Sequence, residues 1–151
     1  MRFPGAPAEL RDAPSASLAR RALALAYEAV LLAAVLLAAA APFVAAAHAA
    51  EAWAARPLLQ LYLIAVAAAY FAGQWCRGGQ TLALRTWRMR IVTRAGTPLG
   101  AHQALVRFLF ALAGCALAGA GFLWALVDRD RLFLHDRLAG TKIIVVPATT
   151  S

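Results

Sequence analysis

Between Ala22 and Ala47 the chain carries a single charge, Glu28, and the stretch from Ala29 to Ala47 carries none. An apolar run of this length crosses a hydrocarbon core of about 30 Å as a helix. The pattern therefore predicts a first transmembrane helix, opened by Arg20 and Arg21, with Ser17 placed to cap it. A second apolar run, Leu58 to Trp75, follows Pro57, a residue suited to a first helical turn. Within it Tyr70 and Gln74 stand four apart and share a face. A third run, Phe108 to Val127, is interrupted by Gly114, Gly119 and Gly121. Between the second and third runs the period changes. Trp87, Met89 and Ile91 alternate with Thr86, Arg88 and Arg90, which predicts a half-buried strand over Trp87 to Val92. Gly78-Gly79 before it and Gly96 with Pro98 after it are breakers. The β-branched run Lys142 to Val146 predicts a second strand.

These elements describe an all-α membrane protein. It has two full transmembrane helices, a third Gly-interrupted apolar segment that is re-entrant or spanning, and a small two-stranded surface β element. Composition agrees: 63% of the 151 residues are hydrophobic, well above the half typical of soluble domains. Residues 1–17, with Pro4, Pro7 and Pro14, read as a mobile cytoplasmic tail. Residues 18–147 form the membrane domain, and 148–151 a short tail. His48 to Arg56 reads as an external loop, with Trp53, Trp75 and Trp124 as interfacial anchors. The small residues around Ala47 and Ala49 resemble a signal-peptide cleavage site, but the apolar run is too long and holds Glu28.

Charge sets the orientation. The chain has 15 Lys+Arg against 7 Asp+Glu. Four basic residues precede the first span, one lies between the first two, six lie between the second and third, and four follow. The tendency of basic loops to stay inside places the N-terminus and the central loop in the cytoplasm. A third full crossing would put the last four basic residues outside, so re-entry of the third segment is favoured. Re-entry also brings the two strands to one side, where they can pair. Basic residues that flank apolar spans suit anionic lipid headgroups and argue against nucleic acid. Cys76 and Cys115 form no CxxC and suggest neither a disulfide nor zinc. The chain shows no phosphate loop, nucleophile elbow or carboxylate pair, so neither an enzyme nor a cofactor is expected.

Glu28 is the sharpest chemical signal. An ionisable group at the centre of a membrane helix costs about 2.5–3.5 kcal/mol on insertion scales and marks function by default. The plainer reading, which carries somewhat more weight, is a salt bridge to an arginine of the central loop such as Arg85 or Arg88. The other is ion or proton coupling. His135-Asp136 suits a cap or a surface ion pair with Arg137 or a strand arginine better than a metal site, because adjacent ligands rarely converge. His48 and His102 read as plain loop residues. Ala111, Cys115 and Gly119 make a small-residue stripe for close helix approach.

Several segments together resemble the RDD family of bacterial membrane proteins, named for one arginine and two aspartates. They are Ser17-Leu18-Ala19-Arg20-Arg21 entering the first helix, the acid inside it, and Gly79-Gln80-Thr81-Leu82 with Arg85 and Trp87-Arg88 after the second. Asp128 and then His135-Asp136-Arg137-Leu138-Ala139-Gly140-Thr141 close the series. The resemblance covers Ser17 to Val146. It implies that Arg21, or its neighbour Arg20, is the family arginine. Glu28 stands at the first aspartate, one methylene longer, and Asp136, or else Asp128, is the second. His135, Gln80, Arg85 and Arg88 are secondary candidates. The family implies a multi-pass protein of the bacterial inner membrane with a proposed transport role. One expectation is an oligomer, a homodimer or larger, that exchanges a cation or small solute through Glu28. The other is a non-transporting scaffold for a partner complex.

Overall fold

The computed structural model describes residues 7–46, 52–117, 124–128 and 132–146. A short helix α1 (Pro7–Asp12) precedes two long helices, α2 (Leu18–Ala46) and α3 (Ala52–Gly78). One turn of helix, α4 (Leu82–Thr86), leads into β1 (Met89–Thr93). Then come α5 (Ala101–Ala116), a 3-10 turn at Trp124–Leu126, α6 (Leu134–Leu138) and β2 (Thr141–Val145). Residues 1–6, 47–51, 118–123, 129–131 and 147–151 lie outside the described residues, and Gly119 and Gly121 of the third apolar run fall among them.

Both long helices exceed what a bilayer needs: 29 and 27 residues at 1.5 Å each span about 44 and 40 Å. Apolar helices of this length also occur as buried cores of soluble proteins, and burial separates the two cases. Only 11% and 6% of the apolar windows are buried inside the molecule. Side chains such as Val30, Leu37, Leu58 and Leu61 therefore face outward, where only lipid can cover them at low cost. Ser17 accepts from the Arg20 amide at 3.4 Å at the start of α2, in the expected cap position. α3 starts earlier than expected, leaving Pro57 inside the helix rather than at its head.

The segments that flank the third apolar run lie side by side. β1 and β2 pair antiparallel, with Met89 opposite Val145 and Thr93 opposite Thr141. The Arg94 amide also donates to Gly140 O at 3.0 Å. Residues 94 and 140 are thus adjacent, and everything between them leaves and returns to one place. α5, at 16 residues, covers about 24 Å. The chain then returns, so that Ala125 joins the same core as Ala24, Leu84 and Phe108. Cysteines placed at Ala95 and at Ser151, in a background lacking Cys76 and Cys115, should label from the same side of the membrane, and one at Arg56 from the other. Opposite labelling of Ala95 and Ser151 would mean a third crossing.

Two expectations about the sheet need correction. The first strand is Met89–Thr93 rather than Trp87 to Val92, because Thr86 still belongs to α4 and Trp87 is its C-cap. Arg88 then turns the chain with φ 52°. Second, the sheet is covered on both faces, and all five residues of β1 are buried. Met89, Ile91 and Ile143 point into the main core. Val92 and Ile144 point the other way and are covered by Leu10.

The cover comes from the N-terminal segment, so residues 7–17 are not a free tail. The Ala16 amide donates to Ile143 O at 3.0 Å, and Ser15 forms an antiparallel bridge with Ile144. Lys142 Nζ donates to the carbonyl oxygens of Arg11 and Ala13. These contacts satisfy the edge of β2, which would otherwise stay open to other strands. The expected stripe on α5 is also displaced: α5 buries Ala104, Arg107, Phe108 and Gly114, while Cys115 is exposed.

Candidate functional site

All three residues assigned to the motif are buried: Arg21 is 1% exposed, Glu28 8% and Asp136 0%. Their alternatives divide. Arg20 is exposed. The Asp128 side chain is covered but answers to Arg137, and its other oxygen accepts from the Leu132 amide at 3.0 Å. Arg85 and Arg88 are both exposed. Arg21 and Glu28 lie seven residues apart on one face of α2, and each serves a different cluster.

Around Glu28 two hydroxyls converge. Tyr70, from the facing side of α3, donates to Oε1 at 2.8 Å. Thr81, in the link after α3, donates its hydroxyl proton to Oε2. The same Thr81 oxygen accepts from the Leu84 amide at 3.2 Å and so caps α4. The expected salt bridge to Arg85 or Arg88 does not form. α4 turns Ala83 and Leu84 inward, which carries Arg85 outward. Among the described residues the partners of Glu28 are two neutral donors.

The second cluster joins α5, α6 and β2. Arg107 Nη1 donates to Asp136 Oδ1 and, at 2.6 Å, to Thr141 Oγ1. Both members of the pair are almost fully covered. The Arg107 guanidinium lies 5.0 Å from the Trp75 ring centroid, a cation–π contact that also removes Trp75 from its expected interfacial role. Arg21 sits beside this cluster, 5.8 Å from the Phe133 ring centroid. The expected partnership of Asp136 with Arg137 or a strand arginine is corrected: Arg137 holds Asp128, and Arg107 holds Asp136. Gln80 plays a stitching part, donating to Met89 O at 2.7 Å and accepting from Arg90 at 3.2 Å.

His135 is buried against Phe133, with ring centroids 5.4 Å apart. Burial, and secondarily the charge of Arg107, push its pKa down to about 2. Asp136 Oδ1 lies 3.9 Å from its Nε2 but is already engaged by Arg107. The native state therefore keeps His135 neutral, while the unfolded chain takes a proton below about pH 6.5. The unfolded state then binds more protons, so stability is full above that pH and falls as pH drops, by about 1.4 kcal/mol per unit. Thermal unfolding in detergent between pH 7 and 5 should show the loss, and His135→Gln should flatten it. An unchanged slope in the variant would assign the loss elsewhere.

Residue patterning missed Arg107, Thr81, Tyr70 and Thr141 as site members. Among the described residues no three of His, Cys, Asp and Glu converge on a common point. What the arrangement offers is a buried carboxylate under two hydroxyls, and a buried ion pair that ties α5, α6 and β2 together. In comparisons with known proteins, the model of the RDD family matches residues 15–140. No curated protein and no solved structure matches.

Proposed function

The chain belongs to the RDD family, and on that footing we propose that it works as an oligomeric inner-membrane exchanger of a cation or small solute against protons, with Glu28 as the exchange carboxylate. The observation that carries this reading is the cradle of Glu28. A carboxylate buried nearly three turns into a lipid-crossing helix, beyond the arginines that open it, is held by the hydroxyls of Tyr70 and Thr81. A hydroxyl both donates and accepts, so each can re-aim when the carboxylate takes up or releases a proton. A fixed arginine would lock it. Two spans and one hairpin are too few to enclose a path, so the reading includes self-association. The concentration of basic residues on the sheet side supports a cytoplasmic location for both described ends of the chain.

Reconstitution into liposomes tests it, with sodium or potassium gradients and an enclosed pH dye. The wild type should move protons against the cation. Glu28→Gln should purify as the same monodisperse species and lose the flux. Unchanged flux in the variant would remove Glu28 from the mechanism. Absence of flux in the wild type would favour a non-transporting scaffold.

A further inference from the structure

Between Glu51 and Asp128 the sequence holds seven arginines and no acidic residue. Two of the seven turn inward, Arg107 to Asp136 and Arg90 to Gln80. Arg77, at the end of α3, and Arg85 and Arg88, on and just after α4, are exposed. No acid nearby in the chain offsets them. On α4 the arrangement is two-sided. Ala83 and Leu84 are buried, while Leu82 is 51% exposed, three residues from Arg85 and so on the same face. The helix begins at Leu82, shortly after the end of the long apolar helix α3 at Gly78.

We propose that Leu82 and Arg85 of α4, with Arg77 of α3, form a docking surface for anionic phospholipid. Leu82 enters the acyl boundary, and the two guanidinium groups meet the phosphate. An exposed apolar side chain three residues from Arg85 is what separates a lipid surface from a site for a free anion. Guanidinium suits phosphate because its planar donors can engage two oxygens at once. The same helix is tied at its cap to Glu28 through Thr81. The surface therefore lies on the element that holds the buried carboxylate, although the inference stands without the exchange reading.

Full-length protein in detergent is titrated with phosphatidylglycerol or phosphatidylcholine, and retained lipid is read by native mass spectrometry. Phosphatidylglycerol should bind more tightly. Arg77→Gln with Arg85→Gln should weaken it by about thirtyfold, taking roughly fivefold for each basic residue near the surface. Phosphatidylcholine should be little affected. Leu82→Asn should weaken both lipids. Arg56→Gln, at the far end of α3, should change neither. Equal affinity for the two lipids would overturn the proposal, as would a double variant that keeps its preference. So would competition by inorganic phosphate at matched concentration, which would show a bare anion site. Should the double variant fail to fold, Arg85→Gln alone decides on its fivefold loss.

Discussion

Asp136→Asn should destabilise the protein more than any other single charge removal. The substitution keeps the shape of the side chain and strands Arg107, which is covered by Trp75 and has Thr141 as its remaining hydrogen-bond acceptor. Breaking a buried pair in this way costs about 3–5 kcal/mol, a large part of a native stability that is only about 5–15 kcal/mol in typical domains. The comparison is Asp128→Asn. Its partner Arg137 is 42% exposed, so the charge left behind stays in contact with water and the loss should be smaller. Thermal unfolding of the two variants in one detergent should therefore separate them widely. Equal losses would mean that Asp128 shares the structural role. Removing both charges, as Asp136→Leu with Arg107→Met, should recover most of the loss, because no stranded charge remains.

The parts legible in the sequence are those written in local periodicity. Apolar length located α2 and α3, alternation located β1 and a β-branched run located β2, each strand to within two residues. Charge distribution favoured bringing the two strands to one side, and β1 does pair with β2. The parts that stayed hidden depend on contacts between distant residues. Arg107 was counted as a loop charge, because an arginine at the edge of an apolar run looks the same whether it faces headgroups or a buried aspartate. Its burial depends on Asp136, 29 residues away. Tyr70 and Thr81 carry no charge, so nothing in the sequence signals a cost that a partner must offset. The N-terminal strap was hidden for another reason. It makes its contacts through backbone groups and a few scattered apolar side chains, Leu10, Ala13 and Ala16, which leave no pattern to read.

The link between α3 and β1 supplies the second large effect, through two adjacent glycines with opposite expectations. Gly79 has φ 66°, in the left-handed region. Its carbonyl accepts from the Ile91 amide at 2.7 Å, so the chain passes hard against β1. A Cβ added there would run into the Ile91 carbonyl oxygen, which is backbone in a paired strand and cannot yield locally. Gly79→Ala thus combines a left-handed penalty of about 1–2 kcal/mol with displacement of β1 from the end of α3. Gly140 isolates the first contribution. It has φ 65° but open space around a Cβ, so Gly140→Ala should cost only that about 1–2 kcal/mol. Gly78 has neither problem: it is the last residue of α3, and its Cβ would meet nothing within 4 Å. Gly78→Ala should leave stability unchanged or raise it by up to about 1 kcal/mol, the helical advantage of alanine over glycine. Thermal unfolding of the three variants should rank Gly79→Ala least stable, Gly140→Ala next and Gly78→Ala at or above wild type. If Gly79→Ala matched Gly140→Ala, the close approach to Ile91 would contribute nothing. Because Thr81 lies two residues beyond Gly79 and holds Glu28, the same displacement should also reduce any flux that depends on that carboxylate.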